Sequence, residues 1–67
     1  MMTLEINGER RSLPPLDNLA ELVSFLGIGP DRIAVEVNRR LIRRVRWSET
    51  KLTDQDKVEI VQFVGGG

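Results

Sequence analysis

Three glycines close the chain, in Val64-Gly65-Gly66-Gly67, directly after a strand-like run. Glycine has no side chain and accepts nearly any backbone conformation. A run of it can lie extended in a channel too narrow for other residues, and it leaves the last carboxylate unhindered. The chemistry that suits such an arm is reaction at its own terminal acyl group inside another protein's active site. The competing reading is a frayed end.

The rest of the composition decides what this chain cannot supply. Its 67 residues suffice for one small domain. It has no cysteine and no histidine. That excludes disulfides, thiol group transfer, Cys-His and Ser-His-Asp arrangements, and the commonest general base and metal ligand. A carboxylate- or lysine-based enzyme remains conceivable, but so small a core leaves little room to enclose a substrate. The composition therefore speaks for a binding or carrier protein. Ten basic and ten acidic residues cancel, so the domain is not a general polyanion binder. The start, Met1-Met2-Thr3-Leu4-Glu5, lacks a basic segment followed by an apolar one, and no apolar run is long enough to span a bilayer. The expectation is a cytoplasmic protein with no membrane partner.

Periodicity along the rest of the chain indicates the scaffold that carries the tail. Leu4 and Ile6 alternate with polar neighbours as a half-buried strand. Asn7-Gly8 signals a type I′ hairpin turn, and Glu9 to Leu13 returns. Pro14-Pro15 stops that strand. Asn18 caps a helix, with Glu21 completing a capping-box pattern. Leu19, Leu22, Val23 and Leu26 form its apolar stripe, and Gly27 and Pro30 end it after two to three turns. Ile33, Val35 and Val37 alternate as a third strand; Asn38-Arg39 turns into a fourth that begins at Leu41-Ile42. Arg43 to Lys51 reads as irregular, with one helical turn around Trp47-Ser48-Glu49. Asp54-Gln55-Asp56 makes a turn, and Lys57 to Val64 is the last strand, Val58 and Ile60 facing one way, Glu59, Val61 and Phe63 the other.

Two antiparallel pairs joined through one helix make an α+β domain, a mixed four- to five-stranded sheet with the helix packed across one face. Joining the first and last strands in parallel at the sheet centre completes a β-grasp, the ubiquitin-like arrangement. Residues 1–64 then form the domain and 65–67 a flexible glycine tail on a rigid base.

Over essentially its whole length the chain resembles the ThiS family of sulfur carriers in thiamin thiazole biosynthesis. The matching stretches are Ile6-Asn7-Gly8-Glu9, Leu19-Ala20-Glu21-Leu22, Ile33-Ala34-Val35-Glu36-Val37-Asn38 and Trp47-Ser48-Glu49-Thr50. The most specific runs from Asp54-Gln55-Asp56 through Val58-Glu59-Ile60-Val61 to Gly65-Gly66-Gly67. The resemblance implies a ThiF-type adenylyltransferase as partner, with MgATP bound by that enzyme and no cofactor on the carrier. It implies adenylation of the Gly67 carboxylate, displacement of AMP by sulfur from a cysteine desulfurase, and a thiocarboxylate at Gly67 that serves the thiazole synthase, ThiG. Gly65 and Gly66 would thread the partner's active site. The carrier would be a protein cosubstrate and no enzyme. Two departures stand out. Gln55 occupies a position where many relatives have glycine, which implies either another turn type or a cost of about 1 kcal/mol. Arg39-Arg40 replaces a commoner Gly-Glu and leaves that hairpin's turn type open. The nearest alternatives are a molybdopterin-synthase small-subunit type of carrier and a ubiquitin-like protein modifier.

Four further features have competing readings. Val61 and Phe63 lie on the strand face away from the helix and read as a docking patch for partners, against ordinary exposed apolar surface. Five arginines between Arg39 and Arg46 suggest phosphate binding, yet they lack interleaved aromatics; a solvated hairpin face is favoured over nucleic acid, with docking to an acidic partner as another option. Trp47 reads as a core lid. Asp54 and Asp56 read as turn chemistry and not as metal ligands.

Overall fold

The computed structural model describes residues 1–63. Its strands are β1 (Met2–Ile6), β2 (Glu9–Leu13), β3 (Ile33–Val37), β4 (Arg40–Ile42) and β5 (Lys57–Gln62), with one helix, α1 (Leu19–Leu26). They form one five-stranded sheet in the order β2-β1-β5-β3-β4. β1 runs parallel to β5; every other neighbouring pair is antiparallel. This is the expected β-grasp, with β5 at the centre.

Alternation decides which face is buried. Leu4, Val35 and Val58, on three adjacent strands, pack with Leu19 and Leu22 of α1, and all five are fully buried. Burying each such side chain contributes about 1.5–3 kcal/mol. The helix has only eight residues, too few to persist alone in water, so packing and caps hold it. Asn18 Oδ1 accepts from the Glu21 N–H at 2.9 Å, and Glu21 Oε1 accepts in turn from the Asp17 N–H at 2.8 Å. The box thus closes one residue earlier than the standard pattern. Gly27, at φ 71°, ends the helix and donates to the Ser24 carbonyl.

β4 begins at Arg40, one residue before the expected start, and three segments differ more. Arg44–Glu49 is a six-residue 3-10 helix, longer than the single expected turn. Trp47 anchors it: the ring is buried, and its Nε1 donates to the Ile42 carbonyl at 2.9 Å, which accounts for the order in a segment with no apolar period. A short 3-10 turn at Pro30–Arg32, absent from the sequence reading, leads into β3. Finally, β5 ends at Gln62, short of Val64; the Phe63 N–H still reaches the Arg32 carbonyl at 2.8 Å. No helix among the described residues is long and apolar enough to cross a membrane.

Candidate functional site

The strand that leads to the glycines is fastened along both edges. On one side β3 pairs with it from Val37↔Val58 to Ile33↔Gln62. On the other side β1 pairs only at Glu5↔Lys57 and Ile6↔Val58. Beyond that point the Asn7 side chain takes over: its Oδ1 accepts from the Ile60 N–H at 2.7 Å and its Nδ2 donates to the Ile60 carbonyl at 3.2 Å. Asn38 does the same work from the β3 side. It accepts from the Lys57 N–H at 3.0 Å, and its Nδ2 donates to Asp56 Oδ1 at 2.9 Å. Sequence reasoning found both asparagines as turn residues and missed them as clamps. The signal was the same Asn at the same place in two hairpins.

The loop before β5 is equally tied down. Asp54 Oδ1 accepts from the Thr3 N–H at 2.6 Å, and Asp54 Oδ2 accepts from Gln55 Nε2 at 3.1 Å. These bonds, the Thr3 amide foremost, hold the Asp54 carboxyl below its ordinary pKa. Asp56 Oδ2 accepts from the Thr53 N–H at 2.8 Å. Both aspartates are therefore acceptors within the turn, as expected, but each also reaches beyond it, Asp54 to Thr3 of β1 and Asp56 to Asn38. Gln55 keeps the left-handed backbone that glycine would adopt, at φ 74°. Of the two outcomes foreseen for that departure, the strained turn is the one observed. Its N–H donates to the Thr3 carbonyl at 2.6 Å and its Oε1 accepts from Arg10 at 2.9 Å, which offsets part of the strain. Arg39 is also left-handed, at φ 70° after Asn38 at φ 51°, so that hairpin retains a turn with positive φ at both centres.

The outer face of the sheet is uncovered among the described residues. Val61 and Phe63 are 56% and 60% exposed, and Leu41 on the edge strand is 65% exposed. Ala34 lies opposite Val61, and Glu36 stands between Glu59 and Leu41. The arginines of the 39–46 segment are all exposed. Arg44 pairs with Asp31 at 2.6 Å and Arg46 with Glu49 at 3.4 Å, both solvent-facing and so worth little in stability. Arg40 lies on the edge strand β4, where a charge discourages pairing with another chain's strand. On the helix side, Ala20, Val23, Ile28 and Trp47 line a depression of about 540 Å³ whose one charged group is Arg44. Gly65, Gly66 and Gly67, and the boundary drawn between domain and tail, lie outside the described residues.

Comparison with known proteins matches this arrangement to one family. The crystal structure of the thiamine biosynthesis protein ThiS from Geobacter metallireducens superposes with a TM-score of 0.83, at 32% identity, over 98% of this chain and all of that one. The sulfur carrier protein ThiS of Bacillus subtilis is 49% identical over 35 residues, 52% of this chain and 53% of its own. The thiazole synthase of Paramagnetospirillum magneticum is 36% identical over 66 residues, which are 98% of this chain but only 20% of that protein. The model of the ThiS family matches residues 4–67, so that the clamped central strand and the glycines after it fall within one pattern, and the chain belongs to the ThiS family.

Proposed function

We propose that this chain is a sulfur carrier of thiamine biosynthesis whose reactive group is the carboxylate of Gly67. The family match, which runs through the last residue, carries this reading. Similarity to a sulfur carrier protein and to a stretch of a thiazole synthase supports it. The fastening of β5 at Lys57 and Ile60, and of Phe63 just beyond its end, also fits, since a tail is presented best from a base that does not move.

The ionised carboxylate attacks the α-phosphorus of ATP on a ThiF-type enzyme with Mg, and the bond to the β-phosphate breaks with loss of pyrophosphate. A carboxylate resists attack by sulfur; the acyl-adenylate does not, because AMP is a good leaving group. Persulfide sulfur from a cysteine desulfurase displaces AMP and leaves an acyl disulfide. A thiol cleaves its S–S bond and releases the thiocarboxylate, which donates sulfur to the thiazole synthase. The carrier contributes no catalytic side chain. Gly65 and Gly66 give slimness and reach, and Val61 with Phe63 forms the docking patch. The short stretch matched within a thiazole synthase favours this partner over molybdopterin enzymes.

Intact-mass spectrometry after incubation with ATP, the adenylating enzyme and a sulfur source tests the reading. The expected product is an oxygen-to-sulfur exchange confined to Gly67. Gly66→Trp should abolish it with the fold intact. Unaltered turnover of that variant, or a native chain continuing untrimmed past residue 67, overturns the proposal.

A further inference from the structure

The register of the central strands sets two carboxylates side by side on the uncovered face. Glu36 of β3 pairs directly with Glu59 of β5. Residues so paired project to the same side, with Cβ atoms about 5 Å apart, and like charges there destabilise the sheet. Glu36 is half-buried and Glu59 exposed. Among the described residues neither belongs to an ion pair. Lys57 and Arg39 border the adjoining hollow with Glu59 and do not neutralise it at contact distance.

The two carboxylates share a shallow hollow of about 260 Å³ with Asn7, Ala34 and Val61. One wall is anionic and the other apolar. Such a hollow fits one kind of visitor: a side chain with an aliphatic stem and a cationic head. Arginine suits it best, since its planar fork reaches two carboxylates and is weakly hydrated. Val61 belongs both to this hollow and to the docking patch proposed above, so the two are continuous.

We propose that the adenylating enzyme docks on this face through an apolar surface that inserts one basic side chain between Glu36 and Glu59, its stem lying on Ala34 and Val61. The proposal rests on the docking reading of Val61 and Phe63 and adds the charge of the partner. It also accounts for a like-charge pair that the free domain keeps at a loss: the incoming cation removes the repulsion.

The test measures the KM for the carrier in adenylation, read as pyrophosphate release, for three proteins at several salt concentrations. They are the full chain, the double variant Glu36→Gln with Glu59→Gln, and Val61→Asp. The expected result for the double variant is a KM raised about tenfold or more, an unchanged kcat, a flattened salt dependence, and a Tm equal to or above that of the parent. An unchanged KM in the double variant with a raised KM in Val61→Asp overturns the proposal and leaves the docking patch standing. An unchanged KM in both overturns the two together. A lowered Tm in the double variant would make the pair structural, and parental dimers that the double variant dissolves would assign the hollow to a second copy; either result overturns the proposal.

Discussion

Two hairpins flank the central strand with the same turn and different residues at its second position. In the first, between β1 and β2, Asn7 has φ 50° and Gly8 φ 83°; in the second, between β3 and β4, Asn38 has φ 51° and Arg39 φ 70°. Glycine adopts that conformation freely, whereas arginine is strained there by about 1–2 kcal/mol. Yet both loops are two residues long and hold their strands in register. What they share is the leading asparagine, whose side chain bonds β5 in each case. The specification of the turn therefore resides in asparagine and in strand pairing. Glycine relieves strain and does not decide the geometry.

Substitutions at the four turn positions test this division of roles between asparagine and glycine. The largest effect is expected for Asn7→Ala, which leaves the Ile60 N–H and carbonyl without partners in a partly buried setting. Chemical denaturation should show a loss of about 2–4 kcal/mol, and hydrogen exchange should show faster exchange at Ile60. Asn38→Ala removes bonds that are exposed to water, so its loss should be about 1–2 kcal/mol. Equal losses at the two sites would remove the distinction between a partly buried and an exposed clamp. Reciprocal changes at the second position come next. Gly8→Ala should destabilise and Arg39→Gly stabilise, each by up to about 1 kcal/mol. If Arg39→Gly destabilises, the arginine side chain contributes something beyond its strained backbone.

The smallest effect is expected at the loop that the clamps adjoin. Asp54 has its folded pKa lowered chiefly by the Thr3 amide. A lowered carboxyl favours the folded state at pH above its unfolded value near 4, and that contribution disappears as pH falls through the folded value. Thermal melts of Asp54→Asn should thus differ from the parent at neutral pH and converge with it in strong acid. A difference that persists unchanged at low pH would point to geometry and not charge.

Local patterns in the sequence foretold most of the fold. Strict alternation at Ile33, Val35 and Val37 marked a strand buried on one face, and the Leu19–Leu26 stripe between Asn18 and Gly27 marked the helix. The 3-10 helix at Arg44–Glu49 was only half legible, because its order comes from one indole bonding a carbonyl and not from any repeat. The asparagine clamps were invisible for a related reason: each joins groups far apart in sequence, Asn7 to Ile60 across 53 positions. The Glu36 and Glu59 pairing was hidden too, since register between strands is not written in either strand alone. Of the candidate site, Val61 lies on the expected strand, whereas Phe63 falls one residue past its end, and both are exposed; the glycines were conspicuous in the sequence itself.

The parallel contact of β1 with β5 has a consequence for biosynthesis. Glu5 lies beside Lys57 and Ile6 beside Val58, so the first and last strands among the described residues are direct neighbours. Until β5 exists, a nascent chain holds at most two detached hairpins, and closing so distant a pairing is slow. A ribosome that stalls before residue 57 releases nothing with a continuous sheet. An enzyme that recognises the assembled face therefore also verifies that translation has passed β5.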